Sequence, residues 1–282
     1  MTYAHSKRIN HTTLHPTILP LNLATTVIGH TVYQYERVGS TNDVIKDYDL
    51  DDNAEGLVVV TEEQVAGRGR SGRGWIAPPK SNLLFSLLLR PTWLSPQQAF
   101  MLTMLAGVAL CEAIEQTASL SAALKWPNDL MLPVATASGP ALRKAAGILS
   151  EMDLSNDVIK RVIMGIGVNV SWSPTGVVDG RDLSHVATSV NAAAAQSVDR
   201  YALLGAFLTS FDTHYIALRQ GAKDSLFQSW RNRLTTLGQT VTVKTSRRDI
   251  EGVAEEVDSD GSLLLRDTQG DLHTITAGDV NA

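Results

Sequence analysis

The chain has 282 residues, a formal net charge of −5 and one cysteine, with 44% hydrophobic and 19% charged residues. That length fits about two domains, and the apolar share supports a packed core and excludes global disorder. The acidic balance argues against bulk binding to a phosphate backbone, and the single cysteine excludes a disulfide framework or a multi-cysteine zinc site.

Residues 1–30 read as a polar lead-in, with His5, His11, His15 and His30 at irregular spacing. A loosely ordered arm is expected there, rather than a metal site or a signal peptide. Residues 32–38 predict a strand, Gly39-Ser40-Thr41-Asn42 a turn with capping residues, and 43–48 a short helix. The apolar runs 57–60 and 83–89 predict two buried strands. Ser95-Pro96-Gln97-Gln98 predicts a helix start, with Ser95 as N-cap, Pro96 at the first position and Gln98 completing a capping box. The apolar run continues that helix to Ile114, buried on most sides, with Cys111 as a packing residue. It falls short of the roughly 20 apolar residues that cross a bilayer, so no membrane partner is expected and the cytoplasm is the expected compartment. Residues 124–131 predict strand, proline-led turn, strand; 134–140 a small-residue loop; 145–152 and 162–170 a hairpin turning at 153–157. Residues 199–218 and 222–234 predict a long and a short helix. Beyond them, short strands at 241–243, 252–254, 263–265 and 272–275 predict a small β-barrel. Asp258 and Asp260 belong to one of its turns, because the further carboxylates of a calcium loop are missing.

Residues 67–74 hold four glycines, three arginines and a serine. The spacing matches the dinucleotide fingerprint, but Trp75-Ile76-Ala77-Pro78-Pro79 is a poor opening for the helix that the fingerprint needs. It nearly matches a phosphate-binding P-loop, without the lysine and hydroxyl that would reach phosphate and magnesium. Kinase motifs are missing downstream, and arginine–glycine tracts that bind RNA are usually long. Glycines let a backbone fold closely over a ligand, and Arg68, Arg70 and Arg73 offer planar charged forks for carboxylate or phosphate. The loop is therefore an expected anion clamp. Lys125-Trp126-Pro127-Asn128-Asp129 places a lysine, an amide and a carboxylate at a strand end, or is a plain turn. Lys144 stands at the mouth of an apolar strand, where it acts chemically or snorkels. Gly165 and Gly167 interrupt another strand, which marks close approach of a ligand or backbone, or plain packing.

Taken together, Gly39-Ser40-Thr41-Asn42, the run from Gln64 to Trp75, Lys125-Trp126-Pro127-Asn128-Asp129, the run from Lys144 to Glu151 and the run from Gly165 to Val170 closely resemble the biotin protein ligases, the biotin–[acetyl-CoA-carboxylase] ligases. The resemblance runs from about residue 32 to the C-terminus. It implies an α+β (mixed α/β) catalytic domain related to class II tRNA synthetases, at residues 31–234, and a small SH3-like barrel at 235–282, after an arm at 1–30. Some members carry an N-terminal DNA-binding domain of roughly 60 residues; fewer than 35 precede the catalytic region here, so a ligase-only chain without DNA binding is expected. The stretch 133–142 is expected to be a longer loop than many relatives have.

The resemblance also implies a two-step reaction. Biotin and ATP form biotinyl-5′-AMP with the help of Mg2+, and a lysine of a biotin carboxyl carrier protein then takes the biotinyl group. By the same resemblance Lys144, Arg68 and Asp129 are catalytic. Ser40, Thr41, Asn42, Gln64, Arg68, Gly69, Arg70, Lys144 and Gly147 bind biotin, and Arg70, Arg73, Trp75, Asn128, Lys144 and Asn169 bind the adenylate. No metal ligands are assigned. A lipoate or octanoate ligase or transferase of the same fold, and a non-catalytic nucleotide- or RNA-binding module, are the alternatives.

Overall fold

The computed structural model describes residues 15–48, 54–178, 180–246 and 248–281. In chain order the elements are β1 (Thr17–Ile18), β2 (Val32–Tyr35), α1 (Thr41–Asp47), β3 (Val58–Thr61), β4 (Leu83–Leu89), α2 (Phe100–Ala118), β5 (Ala123–Lys125), β6 (Asp129–Thr136), β7 (Gly139–Ser155) and β8 (Val158–Val168). There follow β9 (Val177–Val178), β10 (Arg181–Asp182), α3 (Val190–Ala194), α4 (Arg200–Arg219), α5 (Lys223–Arg231), β11 (Thr240–Lys244), β12 (Asp249–Val257), β13 (Leu263–Asp267), β14 (Leu272–Ile275) and β15 (Asp279–Asn281). Eight strands form one sheet in the order β1-β2-β3-β4-β8-β7-β6-β5, and five C-terminal strands form a second in the order β14-β13-β12-β11-β15. Within the large sheet β2 and β3 run parallel, and the other neighbours are antiparallel.

The two faces of the large sheet are used differently, and strand alternation decides how. On β4, Leu83, Phe85, Leu87 and Leu89 enter the main core with α2 and α4. Helix α2 is apolar on nearly every side, and Leu102, Leu105, Leu110 and Cys111 have no exposed surface. Each such leucine contributes about 1.5–3 kcal/mol by leaving water. Burial also pushes the Cys111 thiol up to about 12, so it packs and does not react. On the opposite face Leu88, Val59 and Ile163 pack under α1 in a smaller core. There the sheet also presents small residues in register, Ser86 opposite Gly165 and Gly147 opposite Gly167. Small side chains on a sheet face leave a hollow, and the cavity described below lies in it.

Four expectations are corrected. Residues 133–142 are no loop: β6 and β7 continue as a paired hairpin, with Leu132 opposite Arg143 and Val134 opposite Ala141. Ladder hydrogen bonds need only backbone groups, so small side chains do not prevent them. The helix start at Ser95 is a short 3-10 turn over Pro96–Gln98, without a cap bond from the Ser95 side chain, and α2 begins at Phe100. The C-terminal sheet has a fifth strand, β15. The described part of the lead-in is packed: Leu19, Leu21, Leu23 and Val27 lie against the core and Ile28 is fully buried. Buried Asp212 on α4 accepts the backbone N–H groups of Thr26, Val27 and Ile28 at 2.7–2.8 Å, which ties this segment down. His5 and His11 lie outside the described residues.

Candidate active site

One cavity of about 690 Å³ opens on the small-residue face of the large sheet. Ser40, Thr41, Asn42, Gln64, Arg68, Gly69, Arg70, Arg73, Trp75, Asn128, Asp129, Lys144, Gly147 and Asn169 all line it. Stretches far apart in the chain are thus brought together. Five parts of the fold build the walls: the first turn of α1, the glycine–arginine loop with the β5–β6 turn, the face of β7 and β8, residues after β8 such as Trp172, Leu183 and Ala187, and β15.

The α1 wall is a hydrogen-bonded set. Gln64 Oε1 accepts from the Thr41 backbone N–H at 2.8 Å and its hydroxyl at 3.1 Å, which fixes how the Gln64 amide is turned. The Ser86 hydroxyl lies 2.7 Å from Thr41 Oγ1 and 2.6 Å from Asn42 Oδ1. Asn42 donates to Glu151 at 2.5 Å. Ser40 makes no cap bond to α1 and lines the cavity instead. A Cβ on Gly165 would overlap Asn42 Oδ1, so this strand glycine makes room for a side chain of the site.

The loop folds back on itself. Gly69 donates to the Arg73 carbonyl at 2.7 Å and Trp75 to the Gly67 carbonyl at 2.9 Å, while Ser71 and Gly72 turn the chain at φ 56° and 73°. Its arginines reach three different elements. Arg68 grips Asp43 of α1 with both guanidinium nitrogens, at 2.5 and 2.6 Å. Arg70 donates to Asn128 Oδ1 at 3.0 Å and to the Gly278 carbonyl at 3.5 Å. Arg73 pairs with Asp279 of β15. Hydrogen bonding to Asp43 raises the Arg68 pKa further, whereas burial lowers that of Arg70. Among the described residues, Arg70 therefore hydrogen-bonds only neutral oxygens in a partly desolvated place, with the Asp279 and Asp129 carboxylates near enough to favour its charge, and its guanidinium is not engaged by a carboxylate fork.

On the third wall the Trp75 ring lies on the two registered glycines. A Cβ on Gly167 would stand 2.5 Å from Trp75 Cε2, and one on Gly147 3.2 Å from Cζ3. The buried Trp75 Nε1 has no hydrogen-bond partner. Lys144 Nζ lies 5.8 Å from the Trp75 ring centre and 2.6 Å from Asp129 Oδ1. Asn128 donates to the Ile148 carbonyl at 2.7 Å, so both ends of its amide are used in aiming Arg70. Asn169 is buried, accepting from Asn82 at 3.1 Å and donating to the Thr188 carbonyl at 3.0 Å. Its amide holds the cavity wall. Trp126 also lines the cavity and donates to the carbonyl of Gly261, in the β12–β13 turn, at 2.8 Å. Among the described residues no three metal-ligating side chains converge.

Sequence reasoning missed Ser86, Asp43, Glu151 and Asp279. Ser86 did carry a signal, as the polar residue inside the apolar run 83–89. Asp43 and Asp279 sit in ordinary surroundings in the sequence and Glu151 closes the run from Lys144, and only the fold brings all three to the site.

The comparisons with known proteins agree with this geometry. Residues 35–169 match the biotin/lipoate A/B protein ligase family, and residues 236–281 match the biotin protein ligase C-terminal domain. A bifunctional ligase/repressor BirA from Bacillus subtilis is 31% identical over 88% of this chain and 73% of the relative. A biotin–[acetyl-CoA-carboxylase] ligase from Mycobacterium tuberculosis is 30% identical over 86% of each chain. The solved biotin protein ligase from Aquifex aeolicus in complex with biotin and ATP superposes with a TM-score of 0.72 at 24% identity, covering 89% of this chain and 97% of that one, and so shares the fold. The chain belongs to the biotin protein ligase family.

Proposed function

We infer that this chain activates biotin with ATP as biotinyl-5′-AMP and transfers the biotinyl group to a lysine of a biotin carboxyl carrier protein. The observation that carries the reading is the convergence of Arg68, Arg70, Arg73 and Lys144 on one cavity beside a hydrogen-bonding wall of Ser40, Thr41, Asn42 and Gln64. In the first step a biotin carboxylate oxygen attacks the α-phosphorus and pyrophosphate leaves. Bringing one anion within about 4 Å of another costs about 4 kcal/mol per charge pair at an effective dielectric near 20. Cations fixed around the reacting groups offset that cost without reorganising. Arg70 is the foremost of them, because its hydrogen-bond partners are neutral oxygens that an anion can replace. Lys144, held by Asp129, is the proposed contact to the reacting carboxyl and α-phosphate oxygens.

The polar wall suits the ureido ring of biotin, whose oxygen and two N–H groups need partners when buried. The cavity beside the Trp75 ring suits a flat, largely apolar body. The Trp75 ring is the proposed adenylate contact, and Gly69, Gly147 and Asn169 line the same cavity. In the second step the carrier lysine nitrogen attacks the carbonyl carbon of the mixed anhydride and AMP leaves; Asp129 is the proposed group that orients the amine. Magnesium is assigned to the nucleotide, since such ions usually keep waters and bind through phosphates with few carboxylates. Residues 31–234 form the proposed catalytic unit, with residues 235–282 buttressing it. The cytoplasm is the proposed setting, in keeping with a lone buried thiol and a long apolar helix that lies inside the core.

The test is ATP-dependent transfer of biotin onto a carrier domain, with lipoate in parallel. Transfer of biotin alone is expected, and Lys144→Ala should lower adenylate formation by about a hundredfold or more while the chain still folds. No biotin-dependent pyrophosphate exchange in the unaltered chain would refute the reading.

A further inference from the structure

We propose that Asp43 is a positioning residue that latches the glycine–arginine loop over the cavity by holding Arg68, and so sets how long the activated intermediate is retained. The proposal rests on the ligase reading above and goes beyond it, by assigning retention to a carboxylate outside the substrate-contacting set.

The geometry of Arg68 sets it apart from the other two arginines. Both of its terminal nitrogens bond the two oxygens of one carboxylate, at 2.5 and 2.6 Å. A parallel two-bond fork fixes orientation as well as distance, which a single contact does not. Asp43 is itself held in place. Lys46 Nζ, one turn further along α1, lies 3.9 Å from Asp43 and 2.7 Å from Glu151. Glu151 accepts from Asn42 and lies 3.9 Å from Arg68. Two cations, Arg68 and Lys46, thus lie against two carboxylates, Asp43 and Glu151. With its charge answered in this way, Arg68 acts on the loop more than on a phosphate.

The position of this tie matters. Arg68 pairs with Gly74 across the waist of the loop, beside the Trp75–Gly67 hydrogen bond. A Cβ on Gly67 would stand 2.6 Å from the Trp75 carbonyl oxygen, so the waist is closed tightly. Asp43 fastens that waist to the helix whose neighbouring residues, Thr41 and Asn42, line the cavity. The crown of the loop is held elsewhere, by Asn128 and Asp279. Removing the Asp43 tie frees the edge nearest α1 and leaves the crown attached. A glycine-rich segment gains much conformational freedom on release, so a tie of modest strength governs how often it opens. The pair is about one-third exposed, at 38% and 34%, which places the effect in the several-fold range.

The experiment uses the full chain. Biotinyl-5′-AMP is formed in place, free substrates are removed, and release is followed without a carrier for the unaltered chain, Asp43→Asn, Asp43→Glu and Arg68→Gly. Adenylate formation is measured in parallel by pyrophosphate exchange. Release from Asp43→Asn is expected to be about threefold to tenfold faster, approaching that of Arg68→Gly, with adenylate formation changed less than release. Asp43→Glu, which keeps the carboxylate, should recover most of the retention. In the absence of ligand, trypsin should cut after Arg68 faster in Asp43→Asn. Equal release from Asp43→Asn and the unaltered chain, or equal leakage from the Asn and Glu variants, overturns the latch alone. An unaltered chain that forms no biotin-dependent adenylate overturns the ligase reading and the latch with it.

Discussion

Gly167 shows how much of the site depends on what a residue lacks. It sits on the sheet face opposite the main core, in register with Gly147, and the Trp75 ring fills the space that side chains would take. Gly167→Ala should therefore push the indole outward while leaving the strand paired, because its backbone angles suit any residue. The expected outcome is at least a tenfold loss of adenylate formation with an unchanged far-ultraviolet circular dichroism spectrum and a red-shifted tryptophan emission. Gly165 serves Asn42 in the same way. The strand glycines were legible as signs of close approach, but the approaching group is a side chain of the site, and no local pattern announces that. Ser86 follows the same logic: one hydroxyl in an apolar strand is legible as unusual, and only the register places it under Thr41 and Asn42.

At the scale of elements, helices α2 and α4 are joined by an apolar seam with a polar end. Glu112 of α2 accepts from Ser210 at 2.5 Å and from His214 at 3.0 Å, both on α4. The His214 bond lowers the Glu112 pKa against burial, which raises it, and Ser210 and the Arg233 charge lower it further. A depressed folded pKa means that the unfolded chain takes up a proton first as pH falls. The stabilisation is thus complete above the ordinary carboxylate range and is lost as pH falls through the lower folded value. Urea titrations between about pH 6 and about pH 3 should show Glu112→Gln losing less stability on acidification than the unaltered chain. Equal pH slopes would remove Glu112 from the acid response. The helices themselves were visible in the sequence, α2 as a long apolar run and α4 as an amphipathic one. The β6–β7 hairpin was not, because alanines, serine and glycine resemble a loop until a partner strand supplies the ladder.

For the whole molecule, the C-terminal sheet is a working part of the site. Asp279 meets Arg73 of the loop, Gly278 meets Arg70, and Gly261 receives the Trp126 indole N–H. Gly261 has φ +85°, and a Cβ there would overlap the Phe100 ring. Gly261→Ala should then cost about 1–3 kcal/mol through backbone strain and overpacking together. Calorimetry should show a melting point lower by about 2–4 °C per kcal/mol. An unchanged melting point would mean that this turn does not lock the two sheets together.

The sequence by itself determined the chemistry on offer: three arginines among glycines, a lysine at a strand mouth, and the Lys-Trp-Pro-Asn-Asp turn. It also determined the main helices and strands, since apolar periodicity is a local property of the chain. Tertiary structure alone decided the partners of those charges. Arg68 lies on Asp43, Arg73 on Asp279 and Lys144 on Asp129, while Arg70 hydrogen-bonds neutral oxygens with Asp279 and Asp129 near by. Charge is written residue by residue, but its compensation depends on distance across the fold, and 206 positions separate Arg73 from the carboxylate it meets.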